Sequence, residues 1–165
     1  MSQAYVEKAI DMIELSATNL ATGGTRRGRL AKPEAPPATP RTYGILVVDD
    51  QASVGSVLDV ALRQEGFTVW LAVNGREALD LYRRYRQTID VVLLDVRMPG
   101  LDGPHTLAAL RELNPQIRCC FMSGDISRVD EWQLGDWGAA GMFQKPFELV
   151  EAAQTLREVA SKALT

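Results

Sequence analysis

From Gly44 onward, short apolar runs alternate with helical stripes through five rounds, and this alternation restricts the fold more than any other feature of the chain. The runs predict strands at Ile45–Val48, Phe67–Ala72, Ile89–Leu94, Ile117–Met122 and Gly141–Gln144. Between them, apolar residues recur at intervals of three and four, the spacing that lines one helix face. The first stripe is Val54, Val57, Leu58, Ala61 and Leu62, closing near Gly66; the second, after Asn74-Gly75, is Ala78, Leu79 and Tyr82. The third is Leu107, Leu110 and Leu113, which Asn114-Pro115 ends, because a residue before proline is pushed out of the helical region. A weak stripe follows around Val129 to Leu134, and the last is Val150, Ala153, Leu156 and Val159. The first, third and fourth runs are continuous rather than alternating, as strands covered by helices on both faces must be. The pattern predicts an α/β, doubly wound (βα)₅ fold around a parallel five-stranded sheet.

The remaining chain reads differently. In residues 1–21, Val6, Ile10, Ile13, Ala17 and Leu20 draw a single stripe on an amphipathic helix. Such a helix is marginal alone in water, so it is expected to dock or to pair with a second copy as a homodimer. Residues 22–43 are rich in Pro, Gly, Thr and Arg and predict a solvated linker, leaving residues 44–165 as the main domain. Residues 1–43 carry a net +2 and residues 44–165 a net −5, so a direct nucleic-acid partner is not expected for the acidic part. No apolar run approaches the roughly 18 residues that span a bilayer, and Glu7, Lys8, Asp11 and Glu14 interrupt any secretory signal, so a cytoplasmic location without membrane partners is expected. Cys119 and Cys120 are adjacent in a predicted strand and must point to opposite faces, which suits packing rather than a disulfide or metal site. His105 is the one histidine and is expected at or near the surface. Nothing follows Thr165, so output is expected to pass through another protein.

Three short pieces converge on one chemistry. Asp49-Asp50 follows the first run, Asp95 follows the third, and Lys145-Pro146 follows the fifth. Ligands of open α/β sheets sit at the carboxyl ends of the strands, so Asp49, Asp50 and Asp95 would meet there. Crowded carboxylates must protonate or gain a counter-ion, and hard oxygen ligands suit Mg²⁺, which keeps several waters and meets phosphate. Taken singly, an acidic pair is ordinarily a solvated loop and a lysine before proline a surface residue. Arriving together at strand ends, they point to metal-assisted phosphoryl chemistry on an aspartate.

At Val47-Val48-Asp49-Asp50, Leu93-Leu94-Asp95, Met98-Pro99-Gly100 with Asp102-Gly103, Met122-Ser123-Gly124 and Lys145-Pro146-Phe147, the sequence resembles the receiver domain of two-component response regulators. The resemblance implies sheet order 2-1-3-4-5, which is that of the receiver and flavodoxin class itself. It further implies that Asp95 is the phosphoacceptor, fed by a histidine kinase or a histidine phosphotransfer protein. Mg²⁺, or Mn²⁺, would be bound directly by Asp50, Asp95 and the backbone carbonyl of Arg97, and chiefly through water by Asp49. Lys145 would pair with one phosphoryl oxygen, Ser123 would hydrogen-bond another, and Lys145-Pro146 would be cis. The protein would then be a signalling phosphoacceptor that catalyses at most its own phosphorylation and dephosphorylation. One position departs: Met142 stands where most receivers carry the Tyr or Phe that moves with the hydroxyl residue, and Phe143 stands at a usually aliphatic site. The expected switch is therefore Ser123 with Met142, weaker than with an aromatic.

Three other readings fit parts of this pattern. A haloacid dehalogenase-type phosphatase would need an aspartate two positions beyond the nucleophile, where Arg97 stands. A flavodoxin-like FMN carrier would need a phosphate loop after strand one, where Asp49 and Asp50 repel anions. A non-phosphorylated pseudo-receiver would not need every acidic, hydroxyl and lysine position filled. Trp132 and Trp137 flank the weak fourth helix and are expected in the core, and small residues Ala52, Ser53, Gly55 and Ser56 leave room for a donor's histidine-bearing helix.

Overall fold

The computed structural model describes residues 41–124 and 136–162. The amino-terminal helix expected in residues 1–21, nearly all of the linker, the stripe at Val129 to Leu134 and Trp132 lie outside the described residues. The elements run β1 (Gly44–Val48), α1 (Ala52–Gln64), β2 (Thr68–Ala72), α2 (Gly75–Tyr85), β3 (Val91–Asp95), α3 (Gly103–Leu113), β4 (Arg118–Ser123), β5 (Gly141–Gln144) and α4 (Leu149–Ser161). All strand pairs are parallel, and the sheet order is β2-β1-β3-β4-β5, as expected.

Side chains of alternate strand residues go to opposite faces, and two separate cores result. One holds Leu46, Val48, Val92, Leu94, Cys119 and Phe121 against α2 and α3. The other holds Ile45, Val47, Val91, Leu93, Cys120 and Met122 against α1 and α4. Cys119 and Cys120 thus fall on opposite faces as buried free thiols, and burial pushes the Cys120 thiol up to about 12. Every residue of β1 and β3 is buried, which is why their sequences show no polar alternation.

Helix starts are set by local chemistry. The Asn74 side chain accepts from the Glu77 backbone N–H at 2.9 Å while the Glu77 carboxylate accepts from the Val73 N–H at 2.9 Å, reciprocal capping of α2. At α3, Asp102 accepts from the His105 N–H at 3.0 Å, and Pro104 in the first turn gives up a donor that has no helical partner. Gly103 permits the close approach of α3 to β3: a Cβ there would lie 2.4 Å from the Asp95 carbonyl oxygen.

Two stripe residues do not point inward. Val57 is 59% exposed and Val150 68% exposed, because the buried lines of their helices run through Gly55, Leu58 and Leu62 and through Ala152, Ala153, Leu156, Val159 and Ala160. The strand seen at Phe67–Ala72 in the sequence starts one residue later, and that at Ile89–Leu94 is shifted to Val91–Asp95.

Candidate functional site

The site lies at the carboxyl end of the sheet. Asp49 directly follows β1, and its backbone N–H still bonds the Ala72 carbonyl at 3.1 Å, so the first acid is held by the sheet. Asp95 is the last residue of β3, opposite Met122 of β4, and the next N–H, of Val96, bonds the Met122 carbonyl at 3.0 Å. Lys145 follows β5, and its N–H bonds the carbonyl of Ser123, the last residue of β4, at 2.7 Å. Three strand ends therefore fix the backbones of Asp95, Ser123 and Lys145 before any side-chain contact forms.

The side chains then converge. Lys145 Nζ donates to Asp49 Oδ2 at 2.6 Å and to Asp95 Oδ1 at 2.8 Å. The other Asp49 oxygen accepts from the Gln51 N–H at 2.9 Å. The Asp49 side chain is fully buried, that of Asp95 is 8% exposed and that of Lys145 is 17% exposed. Asp50 is exposed, yet one oxygen from each of Asp49, Asp50 and Asp95 lies within 4.8 Å of the others. Burial raises the Asp95 carboxyl above the ordinary aspartate value, with the neighbouring Asp49 and Asp50 charges adding to it and the Lys145 ammonium only partly offsetting them. Burial also acts to lower Lys145, but its hydrogen bonds to Asp49 and Asp95 outweigh this and raise it, so the ammonium stays charged.

Among the described residues, one ammonium thus meets a group of three carboxylates, which leaves surplus negative charge beside the exposed Asp50. Oxygen-only donors, surplus charge and one exposed carboxylate fit a small hard divalent cation that keeps part of its water shell. Asp49, Asp50 and Asp95 are the residues that would hold it. Arg97 is exposed, two residues beyond Asp95, and borders a cavity of about 580 Å³ with Asp50, Asp102, Pro104 and Trp137. Ser123 is buried. The Lys145-Pro146 peptide is cis.

Of the positions singled out in the sequence, Asp49, Asp50, Asp95 and Lys145 come into one cluster and Ser123 is hydrogen-bonded through its carbonyl to that lysine's backbone. Met142 is half-buried on β5, opposite Phe121, and packs on the α2–α3 side, whereas Phe143 packs on the other side and lies 5.3 Å from the Phe147 ring. His105 is exposed and pairs with Asp102 at 2.6 Å, on the surface as expected. Trp137 is half-buried, its ring edge-on to Phe121, in keeping with a core role, but its place beside the acid pocket could not be read from the sequence. Arg111 was also missed: no local pattern marks an arginine whose partners are carbonyls 26 and 27 residues away.

A family model described as the response regulator receiver domain matches residues 45–157. The chain belongs to the response regulator receiver family of two-component systems. It is 33% identical over 116 residues to sporulation initiation phosphotransferase F of Bacillus subtilis, a match covering 69% of this chain and 90% of that one. Against sensor kinase CckA of Brucella abortus, identity is 35% over 118 residues, covering 72% of this chain but only 12% of the kinase. Against the transcriptional regulatory protein PrrA of Mycobacterium tuberculosis, identity is 40% over 108 residues, or 65% of this chain and 45% of that one. Among solved structures, the Vibrio cholerae chemotaxis protein CheY4 superposes with a TM-score of 0.67 at 28% identity, over 72% of this chain and 99% of that one. A chain of the CheX-CheY-BeF3-Mg+2 complex from Borrelia burgdorferi gives 0.66 at 28% identity, over 73% of this chain and 90% of that one. No helix among the described residues is long and apolar enough to cross a membrane.

Proposed function

We propose that this chain is a phosphorylation-dependent signalling module in which Asp95 accepts a phosphoryl group from the phosphohistidine of a histidine kinase or phosphotransfer protein. The observation that carries the reading is one lysine ammonium shared by two buried carboxylates, one of which ends a central strand beside a third, exposed acid. An Asp95 carboxylate oxygen attacks phosphorus, the phosphorus–nitrogen bond to the donor imidazole breaks, and the imidazole takes a proton from water as it leaves. Lys145 is already within hydrogen-bond reach of Asp95 and balances charge that gathers on the phosphoryl oxygens. Ser123, buried at the end of the adjacent strand, would donate its hydroxyl to a phosphoryl oxygen. Asp49, Asp50, Asp95 and the Arg97 carbonyl would hold Mg²⁺, or Mn²⁺, which supplies neutralisation of the transferring group when bound. In this reading catalysis is limited to the protein's own phosphorylation and dephosphorylation. The buried free thiols support a reducing, cytoplasmic setting.

The donor's histidine-bearing helix would lie on α1. Exposed Val57 lines a cavity of about 550 Å³ that reaches Lys145, Pro146 and Phe147, with small Ser53 at its rim. Residues 1–21 and 22–43 are proposed as a partner-binding or homodimerising helix and its tether; deleting residues 1–42 should leave phosphorylation intact while changing sedimentation or partner affinity, and no change in either would remove that role. Met142 is proposed to move with Ser123.

Incubation of the full chain with acetyl phosphate and Mg²⁺, followed by intact mass measurement, tests the reading. One phosphoryl mass should appear on the parent and not on Asp95→Asn. Equal addition to both would reject Asp95 as the acceptor.

A further inference from the structure

Trp137 occupies a position that phosphoryl acceptance alone does not require. It lines the cavity of about 580 Å³ whose other walls include Arg97 and Asp50, the exposed member of the acid cluster. Among the described residues around that cavity it is the one aromatic. The same ring meets Phe121 edge-on, with centroids 5.3 Å apart and planes at 66°. Phe121 is fully buried on β4, two residues before Ser123, and stands opposite Met142 of β5. Trp137 thus shares a cavity with Asp50 and Arg97 and packs its ring on Phe121, which stands opposite Met142 of the β4–β5 edge.

The backbone beneath this indole is held in place. Arg111 of α3 donates through both terminal nitrogens to successive carbonyls, those of Trp137 and Gly138, the second at 2.8 Å. Gly138 has φ +62°, a left-handed conformation that costs glycine little, and a Cβ there would come within 2.8 Å of the arginine fork. The main chain under Trp137 is thereby tied to α3. Phe121 is fully buried, so a shift of the indole against it meets packed neighbours. Close-packed interiors transmit such displacements rather than absorb them. Met142, unbranched and adaptable, is the next side chain in line.

We infer that Trp137 is a coupling residue that carries the charge state of the acid pocket through Phe121 to Met142 and the β4–β5 edge. This rests on the phosphoacceptor reading above and adds to it the route by which the pocket's state reaches a surface that carries methionine at the position in question. Phosphorylation then changes the environment of the indole first and of the β5 backbone through it.

The test uses the full chain, with beryllofluoride and Mg²⁺ as the phosphoryl mimic. Bound fluoride is followed by ¹⁹F NMR, and the tryptophan indole and β5 amide signals by ¹H–¹⁵N NMR. The chain has three tryptophans, and the Trp137 indole is assigned by its loss in Trp137→Phe. In the parent, bound fluoride should be accompanied by a shifted Trp137 indole and shifted Met142 and Phe143 amides. In Trp137→Leu the bound-fluoride resonance should persist while the Met142 and Phe143 shifts are lost. Bound fluoride with an unmoved Trp137 indole, or with β5 shifts unchanged in Trp137→Leu, overturns the inference alone. Absence of any bound-fluoride resonance in the parent overturns the phosphoacceptor reading and this inference with it. Should the leucine variant fail to fold, the indole shift in the parent decides.

Discussion

β3 has an aspartate at each end, and the two are treated differently. At the amino end, Asp90 just precedes the strand; its side chain is 11% exposed and accepts from Arg41 at 2.6 Å and from the Gly44 N–H at 2.9 Å. At the carboxyl end, Asp95 is buried to a similar degree but shares one lysine with Asp49 and has Asp50 beside it. Asp90 has a cation and a backbone donor to itself. Asp95 is left with surplus negative charge around it, and burial raises its carboxyl. Side-chain exposure alone therefore does not separate the structural acid from the proposed acceptor; the counter-charge around each does. A carboxylate with unmet charge nearby is one that a divalent cation and a phosphoryl group can enter.

The two ends of β3 should differ most at Lys145. Lys145→Ala leaves two buried carboxylates without their shared ammonium, and the expected loss is on the order of 3 kcal/mol in urea unfolding at pH 7 without metal. Mg²⁺ should recover part of it by binding only the folded state. A loss below about 1 kcal/mol, the scale of an exposed pair, would erase the contrast between the two ends. At the other end, Asp90→Ala strips the Gly44 N–H of its acceptor and should cost about 1–2 kcal/mol while leaving the phosphorylation rate unchanged. A change in that rate would show the two ends to be linked.

Asp95→Asn should act with the opposite sign. Because the folded-state carboxyl titrates above its unfolded value, its contribution is fully present below the unfolded value and is lost as pH rises through the folded one. Removing the charge should make the metal-free variant more stable than the parent at pH 7, with the gap closing as pH falls toward 4 in thermal unfolding. A variant less stable than the parent at pH 7 would mean that the Lys145 bond dominates the burial cost. The smallest effect is expected for Arg41→Ala: the arginine side chain is 66% exposed, so the loss should stay under about 1 kcal/mol and shrink as salt is added.

Much of this was legible in the sequence for a physical reason. Strand ends are where apolar runs stop, so Asp49, Asp95 and Lys145 could be assigned to one sheet edge from the alternation alone, and β5 was bounded correctly at Gly141–Gln144. Orientation around a helix was less legible. Val57 fits the three-and-four spacing as well as Leu58 does, but a helix lying on one sheet face buries a narrower line than its apolar stripe, and the surplus valine is left in solvent. Least legible were contacts set only by tertiary packing. The Arg111 fork on the Trp137 and Gly138 carbonyls, and the cavity that Trp137 shares with Asp50, depend on how segments distant in sequence pack together. An arginine at a helix end and a tryptophan in a Gly-rich stretch carry no local signal of that meeting.

Chemical mapping of the acyl phosphate identifies the acceptor side chain. After phosphorylation of the full chain, borohydride reduces an aspartyl phosphate to homoserine, and peptide mass spectrometry locates it. Homoserine should appear at position 95, dependent on Mg²⁺, with Asp49, Asp50 and Asp90 unmodified. Homoserine at any of those three positions, or none in a chain that has gained phosphoryl mass, would contradict Asp95 as the acceptor.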